Sequence, residues 1–206
     1  MRRLWIKICG LRTASDIEAA ARAGADAVGF VFHEGSPRNL ALAAARELQD
    51  AVPVGVERVA VFLHPSQALV DAVLEAVALD WIQTDAADLD TLRLPSGQRV
   101  LPVLRGGPVT HSPRLVRCLF ESAHSGAGEQ ADWSAAALLA RATQLVLAGG
   151  LHPANVAQAV REVRPFGVDV SSGVERERGV KDPQLIREFI RAARDAECSL
   201  AVEENR

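Results

Sequence analysis

Short runs of β-branched and apolar residues alternate along this chain with stretches in which alanine and leucine recur at helical spacing. The runs fall at 4–9 (LWIKIC), 26–32 (DAVGFVF), 58–62 (RVAVF), 80–84 (DWIQT), 99–104 (RVLPVL), 116–121 (VRCLFE), 144–148 (QLVLA) and 167–170 (GVDV). Their lengths suit strands rather than helices. Helical patterns lie between them at 14–23, 41–51, 66–78, 134–141, 153–163 and 183–195, with shorter ones near 86–93 and 108–115. Strands that alternate with helices pair in parallel through right-handed crossovers. Eight such units, about 23 residues apart, predict an α/β fold. The expected architecture is a single-domain parallel (β/α)8 TIM barrel over residues 1–206, with 198–206 a flexible C-terminal tail. An open doubly wound sheet would carry G-x-G-x-x-G after its first strand, whereas this chain reads CGLRTASD.

Composition narrows the choice of partners. The 206 residues are 49% hydrophobic and 24% charged, with a net charge of −3. No global basic field invites nucleic acid, so an anionic ligand has to be held by a local site. No apolar stretch approaches the roughly 18 residues of a membrane span, and the apolar run after Met1 is too short for a signal peptide. Three widely spaced cysteines, Cys9, Cys118 and Cys198, suggest no disulfide framework, and a cytoplasmic setting is expected. The five histidines show no metal-ligand spacing, so no metal is predicted. The chain has neither a nucleotide signature nor a Ser-His-Asp arrangement.

In a barrel of this kind chemistry collects where strands end. Cys9 ends the first strand, and Lys7, two residues earlier, shares its side of the pleat about 7 Å away. At an effective dielectric near 20, that cation favours a thiolate by about 2 kcal/mol, which predicts a thiol titrating close to neutrality. The alternative is a small packed hydrophobe beside a snorkelling lysine. Arg38, in the loop EGSPRN, is a planar fork suited to carboxylate or phosphate, or else a solvated loop residue. Glu121 is an acid ending an otherwise apolar strand, costly unless it sits at the rim or takes part in chemistry. Cys118 has the opposite parity and is expected to pack against helices, and Asp132 is expected to cap the helix that follows it. Gly149-Gly150 after the seventh strand and Ser171-Ser172-Gly173 after the eighth expose backbone N–H groups of the kind that cradle phosphate.

Lys7-Ile8-Cys9-Gly10, GADAVGFVF, Ser36-Pro37-Arg38, Gly126-Ala127-Gly128 before Asp132-Trp133, LAGGL and RPFGVDVSSGVE occur in this order from about residue 4 to 194. In these the chain resembles the phosphoribosylanthranilate isomerase family of tryptophan biosynthesis. The resemblance implies a cofactor-free Amadori rearrangement of a small phosphorylated aminosugar, with no nucleic acid or membrane partner and with monomer and homodimer both open. It implies Cys9 as general base, Glu121 at the place of the family's acidic aspartate, and Arg38 on the anthranilate carboxylate. It also implies Asp169 as a substrate contact and Gly128, Gly149, Gly150, Ser172 and Gly173 as phosphate loops. The chain departs from the family pattern at Glu121, at Ala131 in place of phenylalanine, and at IQTDA where Q-L-H-G is common. Two rival readings are a non-catalytic phosphosugar-binding barrel and a related isomerase or synthase. Histidine-pathway isomerases carry aspartates ending strands one and five, but here those strands end in Cys9 and Leu104-Arg105. An indole-glycerol-phosphate synthase would need lysines among its strand ends, and Lys7 and Lys181 are the only lysines in this chain.

Overall fold

Eight parallel strands close on one another in chain order, with β8 returning to β1. They are β1 (Trp5–Cys9), β2 (Ala27–Val31), β3 (Glu57–Val61), β4 (Trp81–Asp85), β5 (Arg99–Arg105), β6 (Arg117–Glu121), β7 (Gln144–Leu147) and β8 (Gly167–Val170). Among the described residues six helices surround them: α1 (Ala14–Ala23), α2 (Leu42–Leu48), α3 (Gln67–Ala76), α4 (Trp133–Ala140), α5 (Val156–Val163) and α6 (Pro183–Glu204). The computed structural model describes residues 3–105, 116–123 and 129–204. The helix expected near 108–115 lies outside them, and the one near 86–93 is a short 3-10 turn over Ala86–Asp90. After β8 a hairpin of β9 (Glu175–Glu177) and β10 (Val180–Lys181) precedes α6.

Strand parity builds two cores. Residues of one parity, including Ile6, Ile8, Val28, Phe30, Ile82, Cys118, Phe120 and Leu145, face the helices. Those of the other parity fill the barrel with Trp5, Ala27, Val59, Trp81, Leu101, Leu119 and Val146. At the N-terminal end the Arg117 guanidinium lies over the rings of Trp5, Trp81 and Phe166, closing the barrel with cation–π contacts. Moving up the same inward parity, the apolar plug gives way to Lys7, Gln83 and Asp169. It ends at Cys9, Asp85, Arg105 and Glu121.

Local signals set several boundaries. Thr13 Oγ1 accepts from Asp16 N–H to start α1. Asp132 Oδ1 accepts from Ser134 and Ala135 N–H groups and caps α4, as its sequence position suggests. The expected flexible tail is corrected at its start. The apolar stripe Phe189, Ile190, Ala193 and Ala196 continues to Leu200, which is buried, so α6 runs on to Glu204.

Candidate active site

The ends of β1 and β8 meet in a buried ion pair. Their register sets Lys7 beside Asp169, and Lys7 Nζ donates to Asp169 Oδ1 at 2.8 Å with the lysine wholly buried. Gly29 on β2 leaves room for this arrangement. A Cβ there would lie 3.0 Å from Cys9 Sγ and 3.1 Å from Lys7 Cε. The glycine in the apolar run DAVGFVF is thus a matter of space. Gly10 turns the chain out of β1 at φ +75, and its missing Cβ lets Arg38 lie across it.

Arg38 is not a solvated loop residue. Its side chain is buried, and Nε and Nη2 donate to Glu175 Oε1 and Oε2 at 2.7 and 2.9 Å. Lys181 Nζ donates to the same Glu175 at 2.8 Å and to the Ser171 carbonyl at 2.9 Å. Both lysines of the chain are therefore buried beside Cys9. Lys7, Arg38 and Lys181 face Asp169 and Glu175, which leaves one positive charge in surplus. Neither Glu175 nor Lys181 stands out by sequence position, because Arg38 lies 137 positions from Glu175 and the Glu175–Lys181 pair forms only when the β9–β10 hairpin folds.

The titration of Cys9 differs from the expectation. Burial pushes the thiol above its ordinary value; Lys7 pulls it down, but Asp169 shares that cation and pushes it back. Sequence position shows Lys7 beside the thiol but neither Asp169 nor the depth of burial. Cys118, facing the helices, is pushed up to about 11 by burial, and no cation among the described residues offsets it. Glu175 behaves oppositely. Burial alone would raise its carboxyl, yet Arg38 and Lys181 hold it down at about 2.

A depressed carboxyl contributes stability that is present above its unfolded value and is lost as pH falls through the folded one. Between 4.5 and about 2 this amounts to about 3 kcal/mol. Denaturant unfolding should show Glu175→Gln less stable than the parent by about 3 kcal/mol at pH 7. That gap should narrow as pH falls from about 4.5 towards 2, and a gap unchanged across this range would contradict the assignment.

Across the barrel mouth Glu121 pairs with Arg105 of β5, which also holds Asp85 of β4. Arg105 stands out in the sequence only as a strand-ending cation. Cys9, Arg38, Gln83, Arg105, Glu121 and Asp169 line one cavity of about 210 Å3. Gln83 was also missed: it is buried, and its Oε1 has no hydrogen-bond partner among the described residues. A roomier cleft of about 330 Å3 at the other end of the barrel, lined by Leu4, Phe166 and Leu200 among others, is mostly apolar.

Gly149, Gly150, Ser172 and Gly173 stand beside this cavity at the ends of β7 and β8 rather than in its wall. Their backbone N–H groups donate to no other described residue. A Cβ on Gly173 would lie 1.9 Å from the Leu151 carbonyl oxygen, so glycine is what lets these two loops touch. Gly128 lies outside the described residues. The loops after β3 and β4 bring His64, Asp85 and Asp88 within 4.8 Å of one another, a grouping the sequence spacing hides. Their atoms are taken up by one another, by Thr84 and by Arg105.

A closed parallel barrel with a thiol, paired carboxylates and buried cations gathered at its C-terminal mouth defines the class of (β/α)8 barrel enzymes. The family model for N-(5′-phosphoribosyl)anthranilate (PRA) isomerase matches residues 6–192, and the chain belongs to that family. It is 40% identical over 204 residues to the N-(5′-phosphoribosyl)anthranilate isomerase of Thiobacillus denitrificans, covering 92% of this chain and 97% of that one. The crystal structure of phosphoribosyl anthranilate isomerase from Thermus thermophilus superposes with a TM-score of 0.80 at 29% identity, covering 93% and 99%. A phosphoribosyl anthranilate isomerase in complex with reduced 1-(o-carboxyphenylamino)-1-deoxyribulose 5-phosphate superposes with a TM-score of 0.75 at 30% identity, covering 94% and 100%.

Proposed function

We propose that this chain converts N-(5′-phosphoribosyl)anthranilate to 1-(2-carboxyphenylamino)-1-deoxyribulose 5-phosphate in tryptophan biosynthesis, with Cys9 as general base and Glu121 as general acid. The observation that carries the assignment is that a buried thiol and a carboxyl group, ending β1 and β6, open into one small cavity. Glu121 gives a proton to the ribose ring oxygen as the C1–O bond breaks, and the anthranilate nitrogen lone pair forms the C=N bond of a Schiff base. Cys9, in the thiolate form that Lys7 and Lys181 favour against its burial, then takes the proton from C2, and that electron pair closes the C1=C2 bond of the enolamine as the nitrogen regains its own. Tautomerisation of the enolamine leaves the ketose.

The remaining groups bind and orient. Arg38 is fixed by Glu175 through Nε and Nη2, so Nη1 is the edge left for the anthranilate carboxylate. A guanidinium already held in place loses little freedom on taking that carboxylate. Asp169, while holding Lys7, also lines the cavity and accepts from a sugar hydroxyl. Gln83 Oε1, an acceptor lacking a donor among the described residues, suits a hydroxyl or the anilino N–H. The N–H groups of Gly149, Gly150, Ser172 and Gly173 suit the phosphate, and Gly128 completes that set by resemblance. None of these steps calls for a cofactor or a metal. All three cysteines are free, and the exposed Cys198 thiol suits a reducing cytoplasm. No helix among the described residues is long and apolar enough to cross a membrane.

The test is to mix purified protein with N-(5′-phosphoribosyl)anthranilate and follow loss of its fluorescence. Decay well above the protein-free rate, with the deoxyribulose product formed, is expected. Decay at the protein-free rate, with the phosphosugar still bound, would instead match a non-catalytic barrel.

A further inference from the structure

Hydrogen bonds around the β9–β10 hairpin run without a break from the guanidinium of Arg38 to the backbone of Cys9. Both carboxylate oxygens of Glu175 are taken up twice. Oε1 accepts from Arg38 Nε at 2.7 Å and Lys181 Nζ at 2.8 Å, and Oε2 accepts from Arg38 Nη2 at 2.9 Å and the Gly179 N–H at 3.0 Å. Gly179, at φ +82, seats the hairpin turn against the loop that carries Arg38, since a Cβ there would lie 2.9 Å from the Pro37 carbonyl oxygen. Lys181 Nζ also donates to the Ser171 carbonyl at 2.9 Å and to Ser171 Oγ at 3.3 Å. Ser171 Oγ in turn donates to the Cys9 carbonyl at 3.1 Å. The paired register of β1 and β8 ends at Ile8 and Val170, so this bond extends their tie by one step, to the residue that carries the thiol.

The side chains of Arg38, Glu175 and Lys181 are only 8%, 4% and 1% exposed. A buried ion cluster recovers in attraction about what it loses in desolvation, and apolar side chains of the same volume would hold a fold as well. What this cluster supplies is a fixed geometry. We propose that Lys181 is a positioning residue for the reaction, joining the carboxylate-binding edge of Arg38 to the end of β1 so that one network sets both the substrate carboxylate and the base. Its ammonium also bears on the thiol. Among the described residues the charged groups closest about Cys9 are Lys7 of β1, Asp169 of β8, Arg38, Lys181 and, paired with the last two, Glu175. His33, Arg105, Glu121 and Arg178 stand around the same cavity. A cation near a thiolate favours the ionised form, so removing Lys181 raises the pH at which Cys9 ionises.

The experiment follows alkylation of Cys9 by iodoacetamide against pH, read on the peptide that carries it so that Cys118 and Cys198 do not contribute. The dissociation constant of reduced 1-(o-carboxyphenylamino)-1-deoxyribulose 5-phosphate is measured on the same proteins. In Lys181→Met the alkylation midpoint should rise by about one pH unit, and binding should weaken about threefold or more. Adding Glu175→Gln removes the anion as well, and the midpoint should return towards that of the parent. Lys181→Arg keeps a cation in place, so its midpoint should stay near the parent's even where the larger head disturbs packing. Ser171→Ala cuts the network at its last step, and kcat per ligand-binding site should fall about tenfold with binding unchanged. A network that only stabilises the fold would lower the yield of folded protein and leave midpoint, binding and kcat per site in place, and that result overturns the proposal. So does a midpoint displaced as far in Lys181→Arg as in Lys181→Met. The inference rests on Cys9 as the base, so Cys9→Ala is assayed alongside. Parental turnover in that variant overturns the base assignment itself. An inactive Cys9→Ala with an unmoved midpoint in Lys181→Met overturns only the role of Lys181.

Discussion

Cys9→Ala should lower turnover of phosphoribosylanthranilate by about 10²–10⁴-fold or more, while the protein stays folded and still binds substrate. Removing the thiol takes away the only group at the end of β1 able to accept the C2 proton. Lys7, two residues below it, is wholly buried and protonated on Asp169, so it cannot substitute as base. Deleting one small sulfur beside Gly29 leaves the strand ladder and the Lys7–Asp169 pair in place, so the structural cost should be slight. Turnover is followed by fluorescence and binding by titration with the product. Near-parental turnover in Cys9→Ala would return the residue to mere packing.

Glu121→Gln should bring activity to near background with binding retained, because the amide keeps the size of the side chain but has no acidic proton for the ring oxygen. The residue must hold a proton before giving it, and Arg105 opposes that in the free protein. Arrival of the substrate's phosphate and carboxylate adds negative charge to the mouth and favours protonation. Glu121→Asp restores the family's residue on a backbone set for the longer side chain, and partial activity is expected. Steady-state kcat and KM for the three proteins check this. If Glu121→Gln matches the parent, the acid has to be sought at Asp169, since Asp132 is occupied in capping α4.

The barrel was legible because each strand is a short β-branched run and its neighbours pair in chain order, so spacing alone conveyed the topology. Parity then separated Cys118, packed outward, from Cys9 and Glu121 at the mouth. What the sequence hid were contacts made across the barrel. Asp169 is 162 positions from Lys7, yet it pairs with the cation that the local sequence places beside Cys9 alone. Glu175 is 137 positions from Arg38, so the loop arginine gave no sign of being clamped. The end of α6 was missed for a different reason. Only Leu200 carries the apolar stripe past Ala196, and a single leucine in a polar stretch is a weak signal until the groove that buries it is seen.

The division of labour between base and acid can be tested by quenching with borodeuteride while Cys9→Ala acts on substrate. With Glu121 intact and the base removed, the sugar ring opens but C2 keeps its proton, so the Schiff base is the species present. Its reduction places deuterium on C1 of the resulting open-chain aminosugar alcohol, whereas reduction of the ketose product places it on C2. The account predicts label on C1 for Cys9→Ala, and label on C2 for the parent. Deuterium on C2 for Cys9→Ala, accumulating at the parental rate, would contradict it.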